Sequence, residues 1–171
     1  MKNSTTKKLV ITALLTALTT IATLFIRIPL PLGYVNLGDA FVLLSIFILG
    51  PLFGTISAGI GSFLADLFGY ITYAPGTLII KSIMAILAYL IYVGVKKLSK
   101  INLLAEIISG IIATIFMAFG YFLYEIVFFT SASVAILNVP WNLLQGAVGV
   151  VIALLVMRIL KATKLLDKLN I

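Results

Sequence analysis

Long uninterrupted apolar segments constrain this chain more than any other feature. Residues 9–26 contain no charged side chain, and similar segments recur to the end of the chain. With a mean hydropathy of +1.27 and 10% charged residues, the chain cannot present the surface of a water-soluble domain. Lipid admits only helices or closed barrels, and the apolar runs lack the alternation typical of barrel strands. The sequence therefore predicts an all-α integral membrane protein.

The number of helices follows from the thickness of the bilayer, which needs roughly 20 apolar helical residues per crossing. We expect six helices in one transmembrane domain over residues 1–171, near residues 8–26, 38–49, 51–68, 77–95, 102–128 and 140–163. The first segment is too long for a signal-peptide core and lacks a small-residue cleavage pattern, so we expect it to be retained. The second helix is short, and 37–68 could instead be a single kinked span containing Pro51, which gives five crossings.

The basic residues favour six crossings over five. Ten of the twelve lie in three clusters, namely Lys2, Lys7 and Lys8, then Lys96, Lys97 and Lys100, and finally Arg158, Lys161, Lys164 and Lys168. The positive-inside rule places all three clusters in the cytoplasm, which requires an even number of crossings between them. Six helices satisfy this rule with both termini cytoplasmic.

The composition also excludes several functions. The chain has no cysteine and no histidine, so disulfides, serine–histidine hydrolysis and histidine-ligated metal sites are absent, and we predict no catalytic residues, metal or cofactor. The net charge of +7 does not indicate nucleic-acid binding, because the basic residues flank apolar segments instead of sharing a soluble face.

A few polar residues remain inside the predicted helices, where each ionisable group costs roughly 2.5 to 3.5 kcal/mol to insert. Asp39, Asp66, Lys81 and Glu125 all map to the outer half of the membrane. Apolar walls with a few convergent polar groups are typical of small-molecule sites. We therefore predict an outward-facing substrate site formed by Tyr34, Asn36, Asp39, Asp66, Tyr73, Lys81, Glu125, Trp141 and Asn142.

Each of these residues also has a simpler interpretation. Asp39 follows Gly38 and could cap the second helix. Tyrosine and tryptophan are common at membrane interfaces, which would account for Tyr73 and Trp141. Asp66 and Lys81 could form a neutralising pair that holds two helices together. A purely structural interpretation is weakest for Lys81, because this residue lies too deep in the membrane to be a topology signal. An ammonium at that depth needs a carboxylate partner or a polar ligand.

The first helix carries small residues at a spacing that permits close helix contact. Ala13 and Ala17 are four residues apart, and Thr16 and Thr20 extend the same face. This face could bind a partner helix or pack within the bundle. The chain has no phosphate-binding loop of the Walker type, so uptake against a gradient would need energy from another subunit.

Four segments carry a resemblance to a known family, namely YVNLGD (34–39), GPLFG (50–54), AGIGSFLAD (58–66) and PGTLIIK (75–81). They resemble the substrate-binding S components of energy-coupling factor (ECF) importers of the bacterial cell membrane, over residues 8 to about 163. The resemblance implies a six-helix subunit, not an enzyme, that binds a vitamin from outside. It also implies that Ala13 and Ala17 form the Ala-x-x-x-Ala contact with a transmembrane T component, that two ATPase subunits complete the complex, and that the S component topples to deliver its cargo.

The resemblance also bears on the substrate. The middle of the chain is similar to the branch associated with riboflavin, pyridoxine and hydroxymethylpyrimidine, whereas thiamine binders carry tryptophan where this chain has Tyr34. We expect pyridoxine or hydroxymethylpyrimidine ahead of riboflavin. The residues by themselves are also compatible with two other classes of function. One is an intramembrane enzyme that uses Asp39 and Asp66, and the other is an assembly subunit without a ligand.

Overall fold

The structure, a computed structural model, describes residues 2–30 and 34–169, with side chains over 5–30 and 34–167. The elements in chain order are α1 (Lys2–Phe25), β1 (Arg27–Pro29), β2 (Tyr34–Asn36), α2 (Gly38–Gly69), α3 (Ala74–Ser99), α4 (Asn102–Phe128), α5 (Ala132–Ala135), a 3-10 turn (Ile136–Asn138), α6 (Val139–Ala162) and α7 (Leu165–Leu169). In this described part of the chain, five helical segments are long and apolar enough to cross a membrane. The protein is thus an all-helical membrane protein with one small strand pair.

The long helix α2 reverses its direction at Gly50. This residue has φ 75° and ψ −168°, a conformation open to glycine and strained for other residues. Pro51 follows as the first residue of the second arm, where its missing N–H would have no partner in any case. The side-chain oxygens of Ser45 and Ser57 lie 3.0 Å apart, although twelve residues of straight helix span about 18 Å. The arms 38–49 and 51–69 therefore form an antiparallel pair.

Close packing holds the two arms together. A Cβ atom at Gly54 would lie 2.7 Å from the carbonyl oxygen of Ser45. Position 54, one turn after the reversal, therefore has room only for glycine. Because the chain returns on itself, the first turn of α2 and its last turn lie at the same end of the bundle. This brings Asp39 and Asp66 to one end, which we call the pocket end.

A short antiparallel strand pair differs from the expectation of a chain built only of helices and loops. Strand β1 pairs with β2 in the register Arg27–Asn36, Ile28–Val35 and Pro29–Tyr34. Residues 27–37 fall between the first two predicted helices, and three residues per strand are too few to show an alternating pattern. The turn between the strands lies outside the described residues. Strand β2 carries Tyr34 and Asn36 to the pocket end.

The core and the outer surface of the bundle are both apolar. The largest enclosed side chains include Leu43, Leu44, Ile46, Met84 and Met117. Many large apolar side chains face outward, among them Leu14, Ile83, Ile115 and Leu155. Helices that are apolar on all sides are typical of a protein surrounded by lipid.

An ionic cluster joins α4 to α6 at the end opposite the pocket. The buried carboxylate of Glu106 accepts hydrogen bonds from Arg158 (2.8 Å) and Lys161 (2.5 Å). Both cations are partly exposed, at 44% and 33% of their side-chain surface. The two cations therefore neutralise Glu106, which is buried within the bundle.

Candidate functional site

A pocket lies at the pocket end, between all the long helices and β2. The empty space within its walls is about 490 Å³, including open solvent at its mouth. The lining residues are Thr23, Leu30, Tyr34, Asn36, Ser62, Asp66, Tyr73, Thr77, Lys81, Tyr121, Glu125, Asn138, Asn142 and Gln145. Of the nine predicted site residues, seven line this pocket, namely Tyr34, Asn36, Asp66, Tyr73, Lys81, Glu125 and Asn142.

Lys81 forms an ion pair with Asp39. Its ammonium donates to the Asp39 carboxylate and lies 2.8 Å from the sulfur of Met117. Lys81 is 3% exposed and Asp39 is 0% exposed. Asp39 therefore lies behind Lys81 and does not line the pocket. The salt bridge of Lys81 is therefore with Asp39 and not with Asp66, the partner considered in the sequence.

Gln145 connects this ion pair to β2. Its side-chain nitrogen donates to Asp39 Oδ2 (2.8 Å), and its oxygen accepts from the backbone N–H of Asn36 (2.8 Å). Asn36 Oδ1 in turn accepts from the backbone N–H of Gly38 (2.8 Å). The backbone N–H of Gly38, the first residue of α2, is thus satisfied by Asn36, whereas the carboxylate of Asp39 accepts from Lys81 and Gln145. Gln145 was missed as a site residue, although its spacing of three from Asn142 puts both on one face of α6.

Two tyrosines hold the carboxyl groups nearer the mouth. The Tyr34 hydroxyl donates to Asp66, and the Tyr73 hydroxyl lies 3.3 Å from Glu125 Oε1. Burial raises the pKa of Tyr34 and of Tyr73, and the neighbouring Asp66 and Glu125 charges raise each pKa further. Both hydroxyls therefore keep their protons near neutral pH and act as donors.

Asp66 and Glu125 are buried acids that form no salt bridge with the described residues. They are 4% and 2% exposed, and no lysine or arginine side chain described in the structure lies within salt-bridge distance of either. Glu125 is held by the amide nitrogen of Asn138, at 3.1 and 3.2 Å from its two oxygens. A carboxylate offers about four acceptor positions. Both groups can therefore accept further hydrogen bonds from a ligand.

Aromatic rings surround the same space. The ring of Tyr73 lies 6.4 Å from Tyr121 and 4.9 Å from Phe129, and Tyr34 lies 5.3 Å from Tyr70. The Lys81 nitrogen is 5.5 Å from the centre of the Tyr121 ring. Offset and tilted ring pairs at these distances are favourable, and a planar ligand ring can join such a cluster.

Other polar residues of the pocket gave no clear sequence signal. Thr77 and Tyr121 are hydrogen-bonded across it (3.0 Å), and Ser62 faces it from α2. Such hydroxyl residues are common in membrane helices, so nothing marks these three in the sequence. Asn138 lies in a predicted loop, where asparagine usually forms turns. Trp141 is 45% exposed and does not line the pocket, which fits its alternative interpretation as an interface residue.

Ala13 and Ala17 lie on a separate surface. They are exposed in an open groove between α1 and the second arm of α2, with walls formed by Leu9, Thr12, Thr16, Thr20, Ile21, Ile60 and Leu64. Thr20 fastens α1 to the second arm by a hydrogen bond to the Gly61 carbonyl (2.9 Å). Contact between α1 and the bundle therefore leaves the two alanines free to meet another helix.

Residues 3–162 match the family described as "ECF-type riboflavin transporter, S component". The chain belongs to this family. It is therefore a multi-pass membrane subunit of a transporter and not an enzyme, and family membership implies a vitamin substrate and the other ECF subunits as partners. The match also reverses the expected order of substrates, because it names riboflavin and not pyridoxine or hydroxymethylpyrimidine.

Two further proteins resemble this S component. A protein of Pyrococcus woesei, described as an uncharacterized protein in gap 3'region, is 35% identical over 108 residues, which are 61% of this chain and 72% of the relative. A solved structure titled "Structure and mechanism of the S component of a bacterial ECF transporter" has a TM-score of 0.70 at 23% identity, covering 93% of this chain and 98% of the other. The second likeness shows that the two proteins share a fold.

Proposed function

We propose that this S component captures riboflavin from outside the cell, in the pocket between β2 and the helix ends. The observation that carries the proposal is the composition of the pocket, where one cation, two acids outside any described salt bridge and a cluster of tyrosines face the same space. The description of the matched family, which names riboflavin, supports riboflavin ahead of pyridoxine and hydroxymethylpyrimidine.

The chemistry of a flavin suits each part of this pocket. Its flat ring system can stack among Tyr34, Tyr73 and Tyr121. Its carbonyl edge can accept a hydrogen bond from Lys81, which has three donors and uses two of them on Asp39 and Met117. The hydroxyls of its ribityl chain can donate to buried carboxylates. Pyridoxine and hydroxymethylpyrimidine have no polyhydroxyl chain of that length.

The predicted site residues then take different roles. We assign ligand contact to Tyr34, Asp66, Tyr73, Lys81, Glu125 and Asn142, which all line the pocket. Asp39 and Asn36 act as positioning residues, because Asp39 holds Lys81 and Asn36 fixes Gln145. Trp141 anchors the end of α6 at the membrane interface.

The orientation in the membrane forms part of the same proposal. With the reversal at Gly50 counted as a turn between two crossings, the helices cross six times, the basic clusters face the cytoplasm, and the pocket faces outward in the cell membrane. In intact cells, an impermeant thiol reagent should label Thr72→Cys and spare Lys100→Cys. The opposite pattern would refute this orientation.

The groove at Ala13 and Ala17 is proposed as the contact for the transmembrane T component. Small exposed residues four apart allow a second helix to approach closely, which is the main source of helix association in lipid. Two ATPase subunits would then supply the energy that this chain cannot supply itself.

Native mass spectrometry of the purified chain tests the substrate. We expect a co-purified mass equal to riboflavin that is lost in the Lys81→Ala variant. A co-purified pyridoxine or hydroxymethylpyrimidine would refute riboflavin as the substrate. Protein that stays ligand-free after incubation with all three vitamins would favour an assembly subunit instead.

A further inference from the structure

Ser62 is a buried hydroxyl residue that the pocket leaves without a partner. It lies on the second arm of α2, one turn from Asp66, and is 1% exposed. Its Oγ has no hydrogen-bond partner among the residues that the structure describes. It also lines the pocket. Buried side-chain polar atoms are paired in the large majority of cases, so an unpaired one calls for a specific reason.

A local partner would be readily available to this hydroxyl. Serine and threonine in helices commonly donate to the carbonyl four residues earlier. In this protein Thr19 donates to Leu15 (2.8 Å) and Ser45 to Phe41 (2.7 Å) in that manner. Ser62 does not make the equivalent bond, so its hydroxyl stays available to the pocket.

The other unpaired hydroxyls lie in different surroundings. Thr55 is away from the pocket, and Thr114 faces an apolar groove between α4 and α6. Among the unpaired hydroxyls described in the structure, Ser62 is the one that borders a space lined by charged and polar groups. A ligand can therefore satisfy it.

Ser62 and Lys81 belong to the same level of the pocket. Each is one helical turn farther from the mouth than another lining residue, Asp66 on α2 and Thr77 on α3. The two helices pack closely just below them, where a Cβ at Gly59 would collide with Ser82. Lys81 also keeps one N–H that is not used by Asp39 or Met117. Two donors thus face the inner end of the pocket.

We propose that Ser62 and Lys81 together bind a hydrogen-bond-accepting edge of the ligand at the inner end of the pocket. This inference rests on the proposed function, and in riboflavin the edge is the carbonyl-bearing end of the ring system. The ring then enters edge first, and the hydroxylated chain stays near Glu125, closer to the mouth. Ser62 thereby becomes a specificity residue that discriminates against rings without an acceptor edge.

The test compares two ligands and three variants in titrations of the purified protein. Riboflavin carries both the ring and the chain, whereas lumiflavin carries the same ring without the hydroxylated chain. Ser62→Ala should weaken the binding of both ligands by a similar factor, about three- to tenfold, as expected for one hydrogen bond. Glu125→Gln should weaken riboflavin and leave lumiflavin unchanged.

Ser57→Ala is the matched control, because Ser57 lies on the same arm but is paired with Ser45 outside the pocket. It should lower the Tm and leave both affinities unchanged. Ser62→Ala should not lower the Tm of the ligand-free protein, since the hydroxyl it removes is unpaired. If Ser62→Ala cannot be purified, Ser62→Cys replaces it, with a weak donor of similar size.

Unchanged riboflavin affinity in Ser62→Ala, with a wild-type protein that binds riboflavin, would overturn this inference and leave the proposed function intact. A loss of riboflavin binding without any loss of lumiflavin binding would overturn it as well, because Ser62 would then contact the chain. A wild-type protein that does not bind riboflavin would overturn both the proposed function and this inference.

Discussion

At the scale of single residues, the pair formed by Lys81 and Asp39 has the largest energetic consequence. Both side chains are almost fully buried, and each neutralises the other in an apolar bundle. Removing one member of such a pair leaves an uncompensated charge and typically costs about 3–5 kcal/mol. Gln145 satisfies the second oxygen of Asp39, which keeps the Lys81 ammonium in a fixed position beside the pocket.

Replacing Lys81 should separate its structural role from its binding role. We expect Lys81→Met to lower the Tm strongly, because Asp39 loses its cation, and to weaken riboflavin binding at least tenfold. Adding Asp39→Asn removes the buried charge and should recover most of the Tm without recovering the affinity. Thermal unfolding and ligand titration of the two single variants and the double variant measure the Tm and the riboflavin affinity separately.

A matched control is available at the other end of the bundle. Lys161→Met removes one of the two cations at Glu106 and should lower the Tm modestly with no effect on binding. If the Lys81 and Asp39 double variant regained wild-type affinity together with its stability, Lys81 would have no role in ligand contact.

The sequence identified the charged site residues because an ionisable group within an apolar helix stands out by its insertion cost. It did not identify Ser62, Thr77 or Tyr121, because a hydroxyl group adds little to the free-energy cost of inserting a helix into the membrane. It also did not predict which acid pairs with Lys81. That choice depends on how the two arms of α2 pack against α3, which no local pattern specifies.

At the scale of elements, the reversal inside α2 determines the site. Gly50 and Pro51 are a strong local signal for a turn, so the break could be predicted from the sequence. The strands β1 and β2 could not, because each has only three residues and β2 is held to α6 by a hydrogen bond between residues far apart in the chain, Asn36 and Gln145. Without the reversal, Asp39 and Asp66 would lie at opposite ends of a long helix.

A cysteine pair tests the reversal directly, since the chain has no cysteine of its own. We expect Ser45→Cys with Ser57→Cys to form an intramolecular disulfide under mild oxidation, because their side-chain oxygens are 3.0 Å apart. The loss of two free thiols, measured by thiol labelling, reports the bond.

Ser82→Cys with Gly94→Cys is the control pair, because these residues are also twelve positions apart but lie within the continuous helix α3. Both thiols should remain free in this variant. Free thiols in the pair at 45 and 57 under the same oxidation would contradict the antiparallel arrangement of the arms.

At the scale of the whole molecule, the pocket and the groove at Ala13 and Ala17 are separate surfaces. The pocket lies where α3 begins, whereas the last turn of α3, with Lys96 and Lys97, lies at the opposite end of the bundle. The groove runs along the side of α1. Binding of the vitamin and binding of a partner helix should therefore be separable by mutation.

A bulky residue in the groove should affect assembly alone. We expect Ala13→Trp or Ala17→Trp to abolish co-purification with the T component and vitamin uptake by cells, while riboflavin affinity stays within about twofold of wild type. Ala147→Trp, on the exposed face of α6, should change neither property. Equal loss of assembly and of riboflavin affinity in the α1 variants would mean that this face packs within the bundle.

Binding of riboflavin by the isolated chain, in the pocket beside Lys81, can be measured by titration of the purified wild-type protein. Flavin fluorescence is followed as protein is added, with pyridoxine and hydroxymethylpyrimidine as competitors. We predict saturable quenching at one flavin per chain, no displacement by either competitor, and binding at least tenfold weaker in Lys81→Ala, because a truncated buried charged contact costs about 2–5 kcal/mol. Absence of quenching by the folded wild-type protein would contradict riboflavin binding, and equal quenching by the Lys81→Ala variant would contradict the contact with Lys81.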